Sequence, residues 1–114
     1  MLPIFALAAL VISPWNGHDL PTATQAAAKY RLEIAGKPGS TVQLTATGVA
    51  NGWIAAFCND RVCSPTHVSE TIPVSGRAVV QFELIRETDD APHQSGATIR
   101  SSDGGRVTVP RATR

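Results

Sequence analysis

Short stretches in which apolar and polar residues alternate dominate the chain from Lys29 onwards. In "YRLEIA", Tyr30, Leu32 and Ile34 fall on one face and the charged residues between them fall on the other, the period of a half-buried β-strand. Further strand-like stretches are "TVQLTATGV", "WIAAFC", "HVSETIPV", "RAVVQFELIRE" and the two halves of "GATIRSSDGGRVTVP". No stretch sustains a helical period, so the pattern predicts seven short strands and an all-β fold.

The composition of individual stretches predicts their place in the sheets. "WIAAFC" is apolar on both faces, which indicates a central strand. "HVSETIPV" contains Pro73, which has no N–H to donate, and is therefore predicted to lie at an edge. In "RAVVQFELIRE", Gln81 and Glu83 are expected to face away from the core. The side chains predicted to form the core include Leu44, Trp53, Phe57, Val80, Phe82 and Ile99.

Seven strands with turn signals between them indicate a two-sheet antiparallel sandwich. Trp53 falls on the third predicted strand, where immunoglobulin-like domains often bury a tryptophan. Over residues 29–111 the chain therefore resembles secreted bacterial immunoglobulin-like or fibronectin-III-like modules. The resemblance implies a fold and carries no functional residues, because such broad folds host unrelated activities.

The N-terminal segment carries features of a secretory leader. Ile4 to Ile12 is a continuous apolar run, too short to span a bilayer but suited to the hydrophobic part of a signal peptide. The small residues of "TATQAAA" follow, with Ala26 or Ala28 as candidate last residues before cleavage. We therefore expect a leader over residues 1–28, a sandwich domain over 29–114, and a secreted or periplasmic protein without a transmembrane segment. A buried N-terminal strand or helix is the alternative.

Composition narrows the classes of function. The formal net charge is only +1, and aromatic residues make up 5% of the 114 residues. A near-neutral chain has no electrostatic footprint for nucleic acid, and scarce aromatics give no platform for stacking bases. We therefore expect no nucleic-acid partner.

The two cysteines, Cys58 and Cys63, flank the turn-forming sequence "NDRV". Asn59 and Asp60 favour a chain reversal that would bring the cysteines together. In a small secreted domain such a pair is first interpreted as a disulfide. Cys58 has the opposite parity to Trp53, so the bond is expected on the outer face of its sheet or at the sheet's end.

Other chemistry for the cysteines stays open. Cys58, Cys63 and His67 form a Cys-x4-Cys-x3-His pattern that could supply three ligands to zinc, with His93 as a fourth. Blue copper needs two histidines and a cysteine, usually with an axial methionine, and the only methionine is Met1. A redox dithiol more often has the Cys-x-x-Cys spacing. We expect a disulfide, with no metal and no cofactor.

An acidic stretch, "RETDDAPHQSG", contains Asp89 and Asp90 close to His93. Its spacing does not match a calcium loop, and a solvated loop between strands is the expectation. No Gly-x-Ser-x-Gly elbow is present, so no enzyme is predicted.

These patterns predict a small extracytoplasmic sandwich that acts without catalysis as a binding, structural or envelope-associated module. Its partner would be a protein or a component of the cell envelope, and its oligomeric state stays open. If the module has a ligand, the expected surfaces are the loop ends at residues 59–66 and 87–96 or an open sheet edge. The candidate ligand-loop residues are Asn59, Asp60, Arg61, His67, Asp89, Asp90 and His93. The alternative function is binding of zinc or copper, or redox chemistry, by Cys58, Cys63 and His67.

Overall fold

The computed structural model describes residues 9–17, 27–59 and 61–114. The described residues form nine strands in two antiparallel sheets and no helix. The strands are β1 (Ala9–Pro14), β2 (Ala28–Ala35), β3 (Thr41–Thr47), β4 (Trp53–Cys58), β5 (Cys63–Pro65), β6 (His67–Thr71), β7 (Arg77–Arg86), β8 (Gln94–Ser101) and β9 (Arg106–Thr113). The five-stranded sheet has the order β1-β2-β7-β4-β5, and the four-stranded sheet has the order β6-β3-β8-β9.

One apolar core joins the two sheets. Phe57 and Phe82 of the five-stranded sheet pack with tilted rings whose centroids are 5.1 Å apart, and both are almost fully buried. Leu44 and Ile99 of the four-stranded sheet belong to the same buried cluster. The six side chains predicted for the core are all buried there: Leu44, Trp53, Phe57, Val80, Phe82 and Ile99. Apolar burial on this scale is the main force that holds such sheets together.

The seven predicted strands correspond to β2, β3, β4, β6, β7, β8 and β9. Two further strands raise the count to nine. β5 has three residues and ends in Pro65, too short to show alternation. β1 lies in the segment predicted to be a leader, of which residues 9–14 pair with β2. The rest of the apolar run before Ala9, Met1 and the candidate cleavage residue Ala26 lie outside the described residues.

The edges of the sheets meet on two opposite sides of the molecule. On one side β1 lies beside β9. On the other side the chain passes from β5 directly into β6, so that one segment closes both edges. We call these the β1 side and the β5–β6 side.

Candidate functional site

The predicted disulfide is confirmed: Cys58 on β4 is bonded to Cys63 on β5. The two residues lie directly opposite each other in the antiparallel ladder, with their Cα atoms 4.0 Å apart. The turn beyond them is held by Asn59, whose Oδ1 accepts hydrogen bonds from the backbone N–H groups of Arg61 (2.8 Å) and Val62 (2.9 Å). A short side chain that bonds the backbone in this way favours chain reversal. Asp60 lies outside the described residues.

The bond lies on the outer face of the five-stranded sheet, as its parity predicted. Cys58 pairs with Gln81 across β4 and β7, and Ala56 pairs with Glu83. These side chains point away from the core between the sheets, because the alternate residues Phe57 and Phe82 point into it.

The centre of this outer face is nevertheless buried. Gln81 and Cys58 are each 1% exposed, and Glu83 is 0% exposed. Alternation correctly placed Gln81 and Glu83 on the outer face, but it gave no sign that they would be removed from water. Burial of polar groups is costly unless they are hydrogen-bonded, and neither amide atom of Gln81 has a hydrogen-bond partner among the described residues.

A three-residue cluster forms at this position. The Sγ atoms of Cys58 and Cys63 and a carboxylate oxygen of Glu83 all lie within 4.8 Å of one another. Among the described residues, no other group of three cysteine, histidine or acidic side chains is close enough together to bind one metal ion. His67 does not join it, since it is exposed on β6 in the other sheet. The predicted set of Cys58, Cys63 and His67 is therefore not assembled.

The acidic loop lies at the other end of β4. Trp53, at the start of β4, pairs with Arg86, whereas Cys58 ends the strand. Five residue steps of an extended strand separate the two ends by about 17 Å. Asp89, Asp90 and His93 therefore lie at the end of the sheet opposite Asn59 and Arg61, so the two candidate ligand loops are separate surfaces.

The acidic loop is exposed but firmly attached. The guanidinium group of Arg86 donates hydrogen bonds to the carbonyl oxygens of Asp89 (2.6 Å) and Ala91 (2.7 Å). The indole Nε1 of Trp53 donates to the carbonyl of Pro92 at 2.6 Å. These bonds fix backbone and leave the two aspartates in solvent. The loop backbone is therefore fixed to the ends of β4 and β7 by these hydrogen bonds.

Close packing against this loop also explains a glycine. Gly52 has φ of +82°, and a Cβ there would lie 2.5 Å from Thr88 Oγ1 and 2.6 Å from Ala91 Cβ. Both the backbone conformation and the space therefore require glycine.

The β5–β6 side is closed by Thr66. Its N–H donates to the carbonyl of Ala55 on β4 (3.0 Å), and its carbonyl accepts from the N–H of Ala46 on β3 (2.8 Å). One residue thus bonds to both sheets. Beside it a groove of about 310 Å³ opens between the ends of β3 and β4, with Trp53 in its wall.

The β1 side is closed by separate segments. Six residues of β1 pair with β2, and Leu10 and Ile12 face the core opposite Ile34 and Leu32. Leu10 and Ile12 are only half-buried. Below them the hydroxyl of Tyr30 donates to the carbonyl of Pro110 on β9 at 2.9 Å.

No family model matches the chain, and comparisons with curated proteins and with solved structures gave no match either. Among the described residues there is also no helix long and apolar enough to cross a membrane.

Proposed function

We propose that this protein is an extracytoplasmic, non-catalytic immunoglobulin-like module that binds an extended segment of a partner protein along the edge of β2. The observation that carries the proposal is the position of β1. Residues with the character of a leader complete the five-stranded sheet by pairing with β2. Removal of the leader would take β1 away and leave the edge of β2 open to another strand.

The strand order supports the immunoglobulin-like assignment when β1 is included. β1-β2-β7-β4 in one sheet and β3-β8-β9 in the other reproduce the grouping of strands A-B-E-D and C-F-G in constant-type domains. In this assignment β1 is strand A, and β5 and β6 are additional. Trp53 then lies on strand D, one strand later than the sequence suggested.

The disulfide and the leader features support an extracytoplasmic location, since disulfides persist in oxidising compartments. The two candidate cleavage positions have different consequences. Cleavage after Ala28 would remove the first residue of β2, whereas cleavage after Ala26 leaves β2 whole. The carbonyl of Ala27 also accepts a hydrogen bond from the guanidinium of Arg114 at 3.1 Å. We therefore favour a mature chain that begins at Ala27.

The edge of β2 differs from the other strand edges of the described fold. β5 and β9 contain Pro65 and Pro110, and β6 carries Glu70 on its inward face. Prolines and inward charges are devices that protect edges from pairing. β2 contains no proline, and its inward residues are Tyr30, Leu32 and Ile34.

β1 defines the chemistry of the partner. Its inward positions are Leu10 and Ile12, two residues apart, and the outward Val11 between them is 58% exposed. A partner segment would need apolar side chains at alternate positions to cover Leu32 and Ile34. Main-chain hydrogen bonds would supply affinity, and the apolar pair would supply register.

The test begins with export of the full chain in a bacterial host and intact-mass analysis of the periplasmic product. We expect a chain that begins at Ala27 and contains no free thiol. A fluorescent peptide of residues 9–15 should then bind the processed protein and not the full chain. A matched peptide with aspartate in place of Leu10 and Ile12 is the control.

Each other outcome counts against the proposal. A periplasmic product that keeps residues 9–14 would make β1 a permanent strand. Equal binding of the two peptides would show that Leu10 and Ile12 do not set the register of the bound strand. Dimers of the processed protein that pair through β2 would make a second copy the occupant in place of a partner.

A further inference from the structure

The outer face of the five-stranded sheet holds a cluster that the proposed binding function does not use. The two sulfur atoms and a carboxylate oxygen of Glu83 lie within 4.8 Å of one another. Cys58 and Glu83 are fully buried, whereas Cys63 is half-buried on the edge strand β5. Two thiolates and a carboxylate at such separations form the kind of ligand set that binds Zn²⁺ in proteins.

Gln81 supplies an independent indication of a ligand. It lies directly opposite Cys58 on the same face, and it is 1% exposed. Neither its Oε1 nor its Nε2 has a hydrogen-bond partner among the described residues. A buried carbonyl oxygen without a donor is uncommon, because native proteins satisfy almost all such groups. A metal ion beside Cys58 would give Oε1 a partner.

The charge on the two sulfur atoms differs between the oxidised and the reduced protein, and only the reduced form would attract a cation. In the disulfide the sulfurs are neutral and occupied by each other. After reduction, two thiolates beside the buried carboxylate would place three negative charges close together, which is strongly unfavourable at low dielectric. Lys29, directly opposite Glu83 in the β2–β7 ladder, can balance one of them. A divalent cation balances two more.

We propose that Cys58, Cys63, Glu83 and the Oε1 of Gln81 bind Zn²⁺ tetrahedrally when the disulfide is reduced. A small dithiol reductant attacks Sγ of Cys63, the more accessible sulfur. The S–S bond breaks, two electrons pass to the two sulfurs, and the dithiol becomes a cyclic disulfide. The protons taken up by the thiols are released again when zinc binds the thiolates. The three-residue strand β5 must shift slightly, since each sulfur would lie about 2.3 Å from zinc.

The experiment titrates the full chain with Co²⁺ and Zn²⁺ in its oxidised form and after reduction and removal of the reductant. Co²⁺ absorption reports both thiolate ligation and tetrahedral geometry, and Zn²⁺ should displace it. We expect one metal ion per reduced chain and none per oxidised chain. Glu83→Gln should weaken binding by at least about tenfold, and Gln81→Leu should change the cobalt spectrum. His67→Ala is the matched control and should bind like the parent.

Several results would overturn the site. Metal binding that is insensitive to Glu83→Gln would mean that the cysteines bind alone. Weakened binding by His67→Ala would restore the ligand set expected from spacing. Circular dichroism of each reduced variant separates loss of the site from loss of the fold, and a reduced parent that binds no metal while folded contradicts the proposal outright. None of these results depends on leader removal or on peptide binding.

Discussion

The two sides of the sandwich are closed by different means. On the β5–β6 side a single continuous segment carries the disulfide and, through Thr66, hydrogen bonds to both sheets. On the β1 side the closing strand is held by strand pairing and by two half-buried side chains. The first closure includes a covalent cross-link, whereas the second rests on non-covalent contacts alone.

The two closures differ because β5 and β1 differ in length and in the apolar surface that they bury. β5 has three residues and buries little apolar surface, so pairing alone would hold it weakly and a covalent bond is the effective remedy. β1 has six paired residues and an apolar pair facing Leu32 and Ile34, which is enough to hold it by ordinary strand association. The proposed exchange of β1 for a partner segment requires such non-covalent attachment.

The largest expected effect is that of removing β1. A chain that begins at Ala27 loses six residue pairs and exposes apolar surface beneath Leu10 and Ile12. Half-burial of two such side chains corresponds to about 2–3 kcal/mol of unfolding free energy. Urea denaturation of the full and shortened chains measures this loss.

Addition of the peptide of residues 9–15 should restore part of that stability, because a ligand that binds only the folded state raises the unfolding free energy. A shortened chain as stable as the full chain would show that β1 contributes little to the fold.

The second effect is that of the disulfide. Replacement of both Cys58 and Cys63 by alanine removes a loop closure of about six residues, which corresponds to about 2 kcal/mol. Reduction of the parent in the presence of a chelator should cause a similar loss. If the double variant unfolds at the same urea concentration as the parent, the β5–β6 side is held by Thr66 and its hydrogen bonds alone.

Much of the fold is predictable from residue types. Alternation or a continuous apolar run between turn signals identified seven strands, and the parity of Cys58 placed the disulfide on the outer face. Burial of Gln81 and Glu83 on that face was not predictable, because alternation separates the two faces of a strand and says nothing about what covers the outer one. Glu83 therefore escaped notice as a neighbour of the cysteines.

β1 and β5 were not predicted from the sequence, for two different reasons. The apolar run before Ser13 lacks alternation and has the length of a leader's hydrophobic part, so its sequence is compatible with either role. β5 is shorter than any reliable period. His67 was grouped with the cysteines by closeness in sequence, but the chain changes sheets at Thr66 and carries it away.

A smaller effect concerns the hydrogen bond on the β1 side. Tyr30→Phe removes the donor to the Pro110 carbonyl and should lower the unfolding free energy by about 1 kcal/mol. Burial raises the pKa of Tyr30 in the folded protein, an effect that the nearby Arg114 reduces. The unfolded chain therefore ionises first as the pH rises above about 10, and folding stability falls there.

Denaturation curves of the parent and Tyr30→Phe between pH 8 and pH 11 test this, since the alkaline loss should be smaller in the variant. If the unfolding free energy falls equally with pH in the two proteins, the alkaline loss does not come from Tyr30.

A substitution of Thr66, on the β5–β6 side, should raise the unfolding free energy by about as much as Tyr30→Phe lowers it. Its φ of +69° is a left-handed conformation that is unfavourable for a β-branched residue. Thr66→Gly should relieve this strain and raise the unfolding free energy by about 0.5–1 kcal/mol, after allowance for the greater freedom of glycine in the unfolded chain. Thr66→Val keeps the branching and should leave stability nearly unchanged, so a gain in both variants would point away from the backbone.

The smallest effect concerns the guarded edge of β6. Glu70 faces inward opposite the buried Val42, and burial raises the pKa of its carboxyl group. The pKa of Glu70 in the folded protein lies above the unfolded value of 4.5. The stabilising contribution of the protonated carboxyl group is therefore fully present below pH 4.5 and is lost as the pH rises through the folded pKa. Glu70→Gln should therefore match the parent near pH 4 and exceed its unfolding free energy at pH 7 by less than about 0.5 kcal/mol.

The matched variant Glu70→Val sharpens the comparison of the two sides, since it removes the inward charge and gives β6 the apolar inward face that β2 already has. We expect a further gain in stability together with self-association through β6, measurable by light scattering. A Glu70→Val protein that stays monomeric would mean that the inward charge is not what keeps this edge unpaired, and the contrast with β2 would then rest on the length and prolines of the edge strands alone.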